Sequence, residues 1–223
     1  MSLFEQLRQA AAADWNAYVD HAFVRGLGDG SLAQAAFRAY LVQDYLFLVQ
    51  FARAHALAAY KARNLADMRA AKEGLAAIVD VEMNLHLRLC ERWGLSASDV
   101  EATAEHQATV AYTRFVLDIG QSGDLLDLQV ALTPCTLGYA EIARRLAPAG
   151  AEALPADHPY REWIGEYASP AYQAVAAAAG EHLESLARRY ASPARFPELR
   201  AIFAQAARLE ASFWQMGLEL GAA

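Results

Sequence analysis

Apolar residues recur at spacings of three and four along almost the whole chain, and nowhere do they alternate convincingly with period two. Ala and Leu, both good helix formers, supply most of these positions. A chain patterned this way buries its apolar faces helix against helix, so the expected fold is an all-α multi-helix bundle. At 223 residues and 56% hydrophobic it can build a sizeable core. No composition shift or repeat marks a boundary, and the only low-complexity tract is Ala176–Ala179, so residues 1–223 are expected to form a single domain. The apolar faces exceed what one four-helix layer needs, which implies a large core or faces packed between subunits.

Local signals divide the helices. The first is expected over Leu3–Val19, with the glycine-rich stretch Gly26–Gly30 as a connection. Ser31 with Gln34 reads as a capping box for a long helix to about Lys61. Asn64 can cap a third helix that runs to about Trp93 and is stopped by Gly94. Ser98 with Glu101 reads as a second capping box, before a helix through Thr109–Ile119 and a turn at Gly120–Gly123. Asp124 can cap the next helix, and Ala147–Pro159 is the longest irregular piece. Pro159, Pro170 and Pro197 each suit the first turn of a helix, with Ser169 a cap before Pro170, and the last helix ends near Leu220.

Charge and composition exclude several functions. The net charge is -7 with no run of Lys or Arg, which disfavours nucleic acid and anionic membrane surfaces as partners. No apolar run reaches the roughly 18–20 residues that span a bilayer. The richest, Tyr40–Ala52, is broken by Gln43, Asp44 and Gln50. The first residues lack the pattern of a secretory signal. Two cysteines, Cys90 and Cys135, are too few for a disulfide framework and show no metal-ligand spacing. A cytoplasmic protein is the expectation.

The informative residues are titratable groups on stripes that helical spacing assigns to the core. In Phe37, Tyr40, Leu41, Asp44, Phe47, Leu48, Phe51, the carboxyl of Asp44 lies among aromatics and needs a cap, an ion pair or a ligand. In Leu75, Ile78, Val79, Glu82, Leu85, His86, Leu89, the pair Glu82 and His86 shares one helical face. Such a pair is either half of a bundle-core metal site or, more commonly, a mutually satisfied tie between helices. Glu210 lies with Phe203, Ala206, Phe213, Trp214 and Gly217, an aromatic wall that raises a carboxyl's pKa and suits a general acid. Tyr112 and the pair Trp163 and Tyr167 add aromatics with polar handles.

The fourth such helix carries Leu132-Thr-Pro-Cys-Thr-Leu-Gly-Tyr139. A proline inside a helix removes one hydrogen bond and clashes with the preceding turn, at a cost of about 3 kcal/mol. Pro134 would thereby distort the backbone beside Cys135, one turn before Tyr139, with Thr133 and Thr136 available for the freed backbone groups. Cys90 fits the usual buried, inert thiol.

Asp44 in Val-Gln-Asp-Tyr-Leu, Glu82-Met-Asn-Leu-His86, Pro-Cys135-Thr-Leu-Gly-Tyr139, Trp163-Ile-Gly-Glu-Tyr167 and Glu210-Ala-Ser-Phe-Trp214-Gln-Met resemble, in order and spacing, the TenA family of thiaminase II enzymes. Cys135 places the chain in the cysteine-containing branch. The resemblance implies a haem-oxygenase-like all-α fold, a homotetramer, and no metal or organic cofactor. It implies hydrolysis of 4-amino-5-aminomethyl-2-methylpyrimidine to the hydroxymethyl pyrimidine and ammonia in thiamine salvage, and family members also cleave thiamine. Cys135 would be the nucleophile and Glu210 the acid and base. Asp44 would accept from the exocyclic amine, and Tyr112, Tyr139 and Tyr167 would orient ring, thiol or water between walls from Phe47 and Trp214. Some members have tyrosine at position 47, whose hydroxyl is absent from Phe47. Glu82, His86, Pro134 and Trp163 would support these groups. The family also carries an older label as a transcriptional activator, against which stand the acidic balance and the lack of a recognition helix. Two alternatives remain: a metal-dependent oxidase using Glu82 and His86 or His21, and a non-catalytic aminopyrimidine-binding regulator.

Overall fold

The computed structural model describes residues 1–222, among which there are helices and turns but no strand. In chain order the α-helices are α1 (Leu3–Ala10), α2 (Ala12–Val19), α3 (Ala22–Asp29), α4 (Gln34–Lys61), α5 (Leu65–Ala76), α6 (Met83–Arg92) and α7 (Ala97–Ala102). They continue with α8 (Gln107–Ser122), α9 (Leu125–Leu146), α10 (Arg161–Ala168), α11 (Pro170–Tyr190) and α12 (Phe196–Ala222). A π-helical turn, Ala77–Glu82, joins α5 to α6. Helices α4, α8, α9 and α12 each pack against the other three. Around this centre α2 and α3 lie on α12, α5 and α6 on α4, and α10 and α11 on α9.

Several boundaries differ from the sequence expectations for identifiable reasons. The expected first helix breaks at Ala11, whose φ of -119° and ψ of 31° leave the helical region. The break lets α1 face α11 and α12 while α2 turns Trp15, Tyr18 and Val19 onto α12 and α9. The glycine-rich stretch is not a connection. Residues 26–29 are the second half of α3, with Gly30 its left-handed C-cap, because Phe23, Val24 and Leu27 give that segment a buried face. Ser31 does not cap α4; its own N–H donates to Asp29 Oδ1 at 2.9 Å, and α4 begins after Ala33 without a side-chain cap. The cap of α7 is Ser96, which accepts from the Asp99 N–H, rather than Ser98.

Helix α8 absorbs most of the expected turn at Gly120–Gly123. Gly120 is helical, and a Cβ there would stand 2.8 Å from Leu57 Cδ2, so it serves the close approach of α4 and α8. Pro159 precedes Tyr160, the cap of α10, and so lies outside that helix. Asn64, Asp124 and Ser169 cap as expected, through N–H donations from Asp67, from Leu126 and Asp127, and from Tyr172. Pro170 opens α11 and Pro197 sits in the first turn of α12.

The third expected helix is interrupted by the π turn. A π turn carries more residues than an α turn, so side chains beyond it step off the 3.6-residue period. Val79, expected on the core stripe, is 48% exposed, while Ile78, Leu85, His86 and Leu89 are buried. Glu82 closes this turn.

Candidate active site

The stripe on α4 lies at the centre of the bundle, and Phe37, Tyr40, Leu41, Asp44, Phe47, Leu48 and Phe51 are all buried. Tyr40, one turn before Asp44, donates its hydroxyl to Asp44 Oδ2 at 2.8 Å. His86 Nδ1 lies 3.6 Å from the same oxygen. The other ring nitrogen, Nε2, is 2.6 Å from the Leu41 carbonyl, which can only accept, so Nε2 carries the proton. Burial pushes His86 down to about 4, and the two groups therefore do not form an ion pair near neutral pH. Burial also pushes Asp44 up to about 7, with the Tyr40 hydrogen bond opposing it.

Glu210 on α12 is 2% exposed and accepts from the Tyr112 hydroxyl of α8 at 2.8 Å. Burial raises its carboxyl to about 8 against the pull of that hydrogen bond, with the Asp44 charge adding to the rise. Glu82 accepts from the Tyr167 hydroxyl of α10 at 3.2 Å. Burial, and then the Asp44 charge, bring it to about 8. Glu82 and His86 thus share a face but go to different partners, Tyr167 and Leu41, so the mutually satisfied pair does not form. Among the described residues no three His, Cys, Asp or Glu side chains are grouped to hold a metal ion. His21 is occupied as the cap of α3, accepting from the Phe23 N–H.

Helix α9 continues through Pro134. Thr133 donates to the Gln129 carbonyl at 2.7 Å, not to the Val130 carbonyl, which is the one that Pro134 leaves without its helical N–H. Thr136 instead offers its carbonyl, 3.4 Å from the Tyr172 hydroxyl. The Pro134 carbonyl accepts from the Tyr18 hydroxyl at 3.3 Å. Tyr18 reaches it because residue 138 is glycine: a Cβ there would lie 2.3 Å from Tyr18 Cε1. Cys135 retains partial exposure. Burial lifts its thiol well above 9, and the charges of Glu210, Glu82 and Asp44, in that order, add to the rise. Three carboxyls from three other elements are thus near enough for their charges to act on the Cys135 thiol, which rests protonated.

Aromatic rings enclose this group. Tyr139 stands 4.9 Å from Tyr167, 5.4 Å from Trp214 and 5.9 Å from Trp163, ring centre to ring centre. Phe47 lies 5.0 Å from Tyr112. The Trp163 indole N–H donates to the Tyr40 hydroxyl at 3.2 Å, and the hydroxyls of Tyr40 and Tyr139 are 3.5 Å apart. Tyr40 thus links Asp44, Tyr139 and Trp163, a role absent from the sequence expectations although Tyr40 sits one turn from Asp44 on the same stripe. Tyr18 and Tyr172 are absent from them as well, and nothing local in the sequence marks either residue.

The bundle has the haem-oxygenase-like all-α fold. A Shewanella denitrificans domain described by that fold superposes with a TM-score of 0.73 at 14% identity, covering 97% of this chain and 92% of its own. The chain belongs to the TENA/THI-4/PQQC family, whose profile matches residues 8–220. It is 38% identical over 219 residues to the aminopyrimidine aminohydrolase of Halalkalibacterium halodurans, covering 97% of this chain and 95% of the relative. It is also similar to a Silicibacter protein described as a TenA family transcription regulator. That crystal structure superposes with a TM-score of 0.90 at 44% identity, covering 97% of this chain and 96% of its own.

Proposed function

We propose that the chain is an aminopyrimidine aminohydrolase of thiamine salvage, replacing the amine of 4-amino-5-aminomethyl-2-methylpyrimidine by hydroxyl and releasing ammonia. The observation that carries this reading is the convergence of Cys135, Glu210 and Asp44 on one aromatic-walled site. The relative from Halalkalibacterium halodurans, named for the same activity, supports it.

A neutral aminopyrimidine is a poor electrophile, so a sulfur nucleophile alone is not enough. Cys135 releases its thiol proton to water and adds to the ring carbon while Glu210, held protonated near neutral pH by burial, protonates the adjacent ring nitrogen. The electron-rich ring then expels the protonated amine from the exocyclic carbon as ammonia, and water adds to the methylene left behind, giving up the proton that the sulfur regains on release. Glu210 takes the ring proton back as the carbon–sulfur bond breaks, which restores the aromatic ring. Asp44, oriented by Tyr40, accepts from the 4-amino group. Tyr112 sets Glu210, Tyr139 and Tyr167 orient ring and water, and Phe47 and Trp214 form the walls. Thiamine cleavage would follow the same course with the thiazole as leaving group.

The reading includes one domain and a cytoplasmic location. It also includes a homotetramer that covers the exposed apolar side chains Leu65, Met68, Val79 and Val81 on α5 and the π turn. Among the described residues no helix is long and apolar enough to cross a membrane. Incubation with the aminomethyl pyrimidine and with thiamine, with products identified by mass, tests the reaction. Cys135→Ser should release no ammonia yet still bind the pyrimidine; retention of most activity would refute the covalent role.

A further inference from the structure

Glu82 is the one carboxyl of the three around Cys135 that the reaction does not use, and the one that keeps partial exposure. It is presented by the π turn, so its position depends on a local distortion of the helix. Its partner Tyr167 stands in a knot of electron-rich rings, 4.8 Å from Trp163, 4.9 Å from Tyr139 and 4.8 Å from Tyr172. Ring faces carry negative potential and attract cations, and a carboxylate at the edge of such a knot adds a full charge. Among the described residues no Lys or Arg pairs with Asp44, Glu82 or Glu210, and the imidazole of His86, 3.6 Å from Asp44, is neutral near pH 7. The site therefore lacks a counter-charge that a ligand could bring.

We infer that Glu82, held by Tyr167, is the specificity-determining group that receives the positively charged substituent on the pyrimidine, the ammonium of an aminomethyl arm. This rests on the aminohydrolase reading above. A primary aliphatic amine is mainly protonated at neutral pH, with a pKa of about 10 in the lysine side chain. The hydroxymethyl product is uncharged, so the same interaction favours substrate over product. Without ligand Glu82 holds its proton near neutrality, and an arriving ammonium supplies the charge that lets it ionise.

The test compares two ligands of nearly equal shape. KM and kcat are measured for the aminomethyl pyrimidine, and Kd for the hydroxymethyl pyrimidine by calorimetry, in the parent protein and in Glu82→Gln and Glu82→Asp. Removing a charge-assisted hydrogen bond from an enclosed site should raise KM about tenfold to a hundredfold in Glu82→Gln. The hydroxymethyl Kd should stay within about twofold, and Glu82→Asp should recover part of the selectivity. If Glu82→Gln does not fold, Tyr167→Phe should lose selectivity in the same direction, by a smaller factor. Equal weakening of both ligands would overturn the inference by reducing Glu82 to a shaper of the pocket, and an unchanged ratio would overturn it too. Either result leaves the aminohydrolase reading intact if the parent turns over. A parent that neither turns over the amine nor binds the alcohol would overturn both.

Discussion

Replacing Tyr112 by phenylalanine tests the link between structure and acid–base chemistry at one atom pair. The substitution keeps the ring, and with it the packing against Phe47 at 5.0 Å, but removes the hydroxyl that donates to Glu210 Oε1 at 2.8 Å. That bond favours the ionised carboxylate and holds the Glu210 pKa below the level burial alone would impose. A hydrogen bond to a charged group contributes about 1.5–3 kcal/mol and one to a neutral group about 1 kcal/mol, so the ionised form loses roughly 1 kcal/mol more. At about 1.4 kcal/mol per unit, this is a rise of roughly 0.7 unit. Glu210 acts as an acid, so activity falls as pH rises through its pKa, about 8 in the parent. The assay is the pH dependence of kcat/KM for the aminomethyl pyrimidine in parent and variant. The basic limb should move upward in Tyr112→Phe, so that the variant keeps a larger fraction of its own maximum above pH 8. Titration of the substrate is common to both profiles and cancels in the difference. A limb that stays in place or moves down would refute the assignment of the proton to Glu210.

Gly138→Ala should destabilise the protein by about 1–3 kcal/mol, because the added methyl would meet the enclosed Tyr18 ring at 2.3 Å. A fall in Tm of roughly 2–4 °C per kcal/mol would report it. The stability of the ligand-free protein should also fall as pH rises from about 6.5 to 8.5. Asp44 at about 7, and Glu82 and Glu210 at about 8, keep their protons in the folded chain after the unfolded chain has lost them, so folding is favoured below the unfolded pKa and disfavoured as pH climbs through the folded one. Below about pH 6.5 the neutral His55 and His86, both held down to about 4 by burial, oppose this trend. The thermal midpoint should therefore be flatter there, and a midpoint that rises from pH 7 to 8.5 would contradict the placement of the carboxyls.

The stripes on α4 and α12 were legible in the sequence because both helices keep the regular period through their titratable residues. Asp44 and Glu210 stand where a 3.6-residue repeat places them, and their burial follows from Phe47, Phe213 and Trp214 beside them. The stripe through Glu82 was only half legible. A π turn has no compositional signature in Ala-Ile-Val-Asp-Val-Glu, and it took Val79 out of the core while leaving Glu82 near Cys135. Capping errors at Ser31 and Ser98 have a different origin. Several serines and aspartates lie within a few residues of each helix start; at α7 Ser96 takes the cap, while at α4 the Ser31 N–H turns to Asp29 and the helix starts without a side-chain cap. The links made by Tyr18 and Tyr172 join residues more than thirty positions apart in the sequence, so no local pattern could reveal them.

The resting state of Cys135 sharpens the chemistry. Pro134 sits on the N-terminal side of the thiol, but among the described residues no cation acts on the sulfur, and burial, then the three carboxyls near it, disfavour a thiolate. Burial holds the Cys135 thiol well above the ordinary thiol range, so the thiolate is a minor species at neutral pH. Alkylation of the ligand-free protein with iodoacetamide, followed by mass at Cys135 and Cys90, should be slow at neutral pH and accelerate about tenfold per unit up to pH 9. Cys90, pushed up to about 12 by burial and the Asp44 charge, should react more slowly still. A plateau in the Cys135 rate below pH 8 would show a standing thiolate and refute this electrostatic picture. Absence of a plateau means that sulfur attack and loss of the thiol proton occur together once a ligand is bound. The burial that suppresses the thiolate in the ligand-free site would then confine its formation to the moment when a positively charged substrate offsets it.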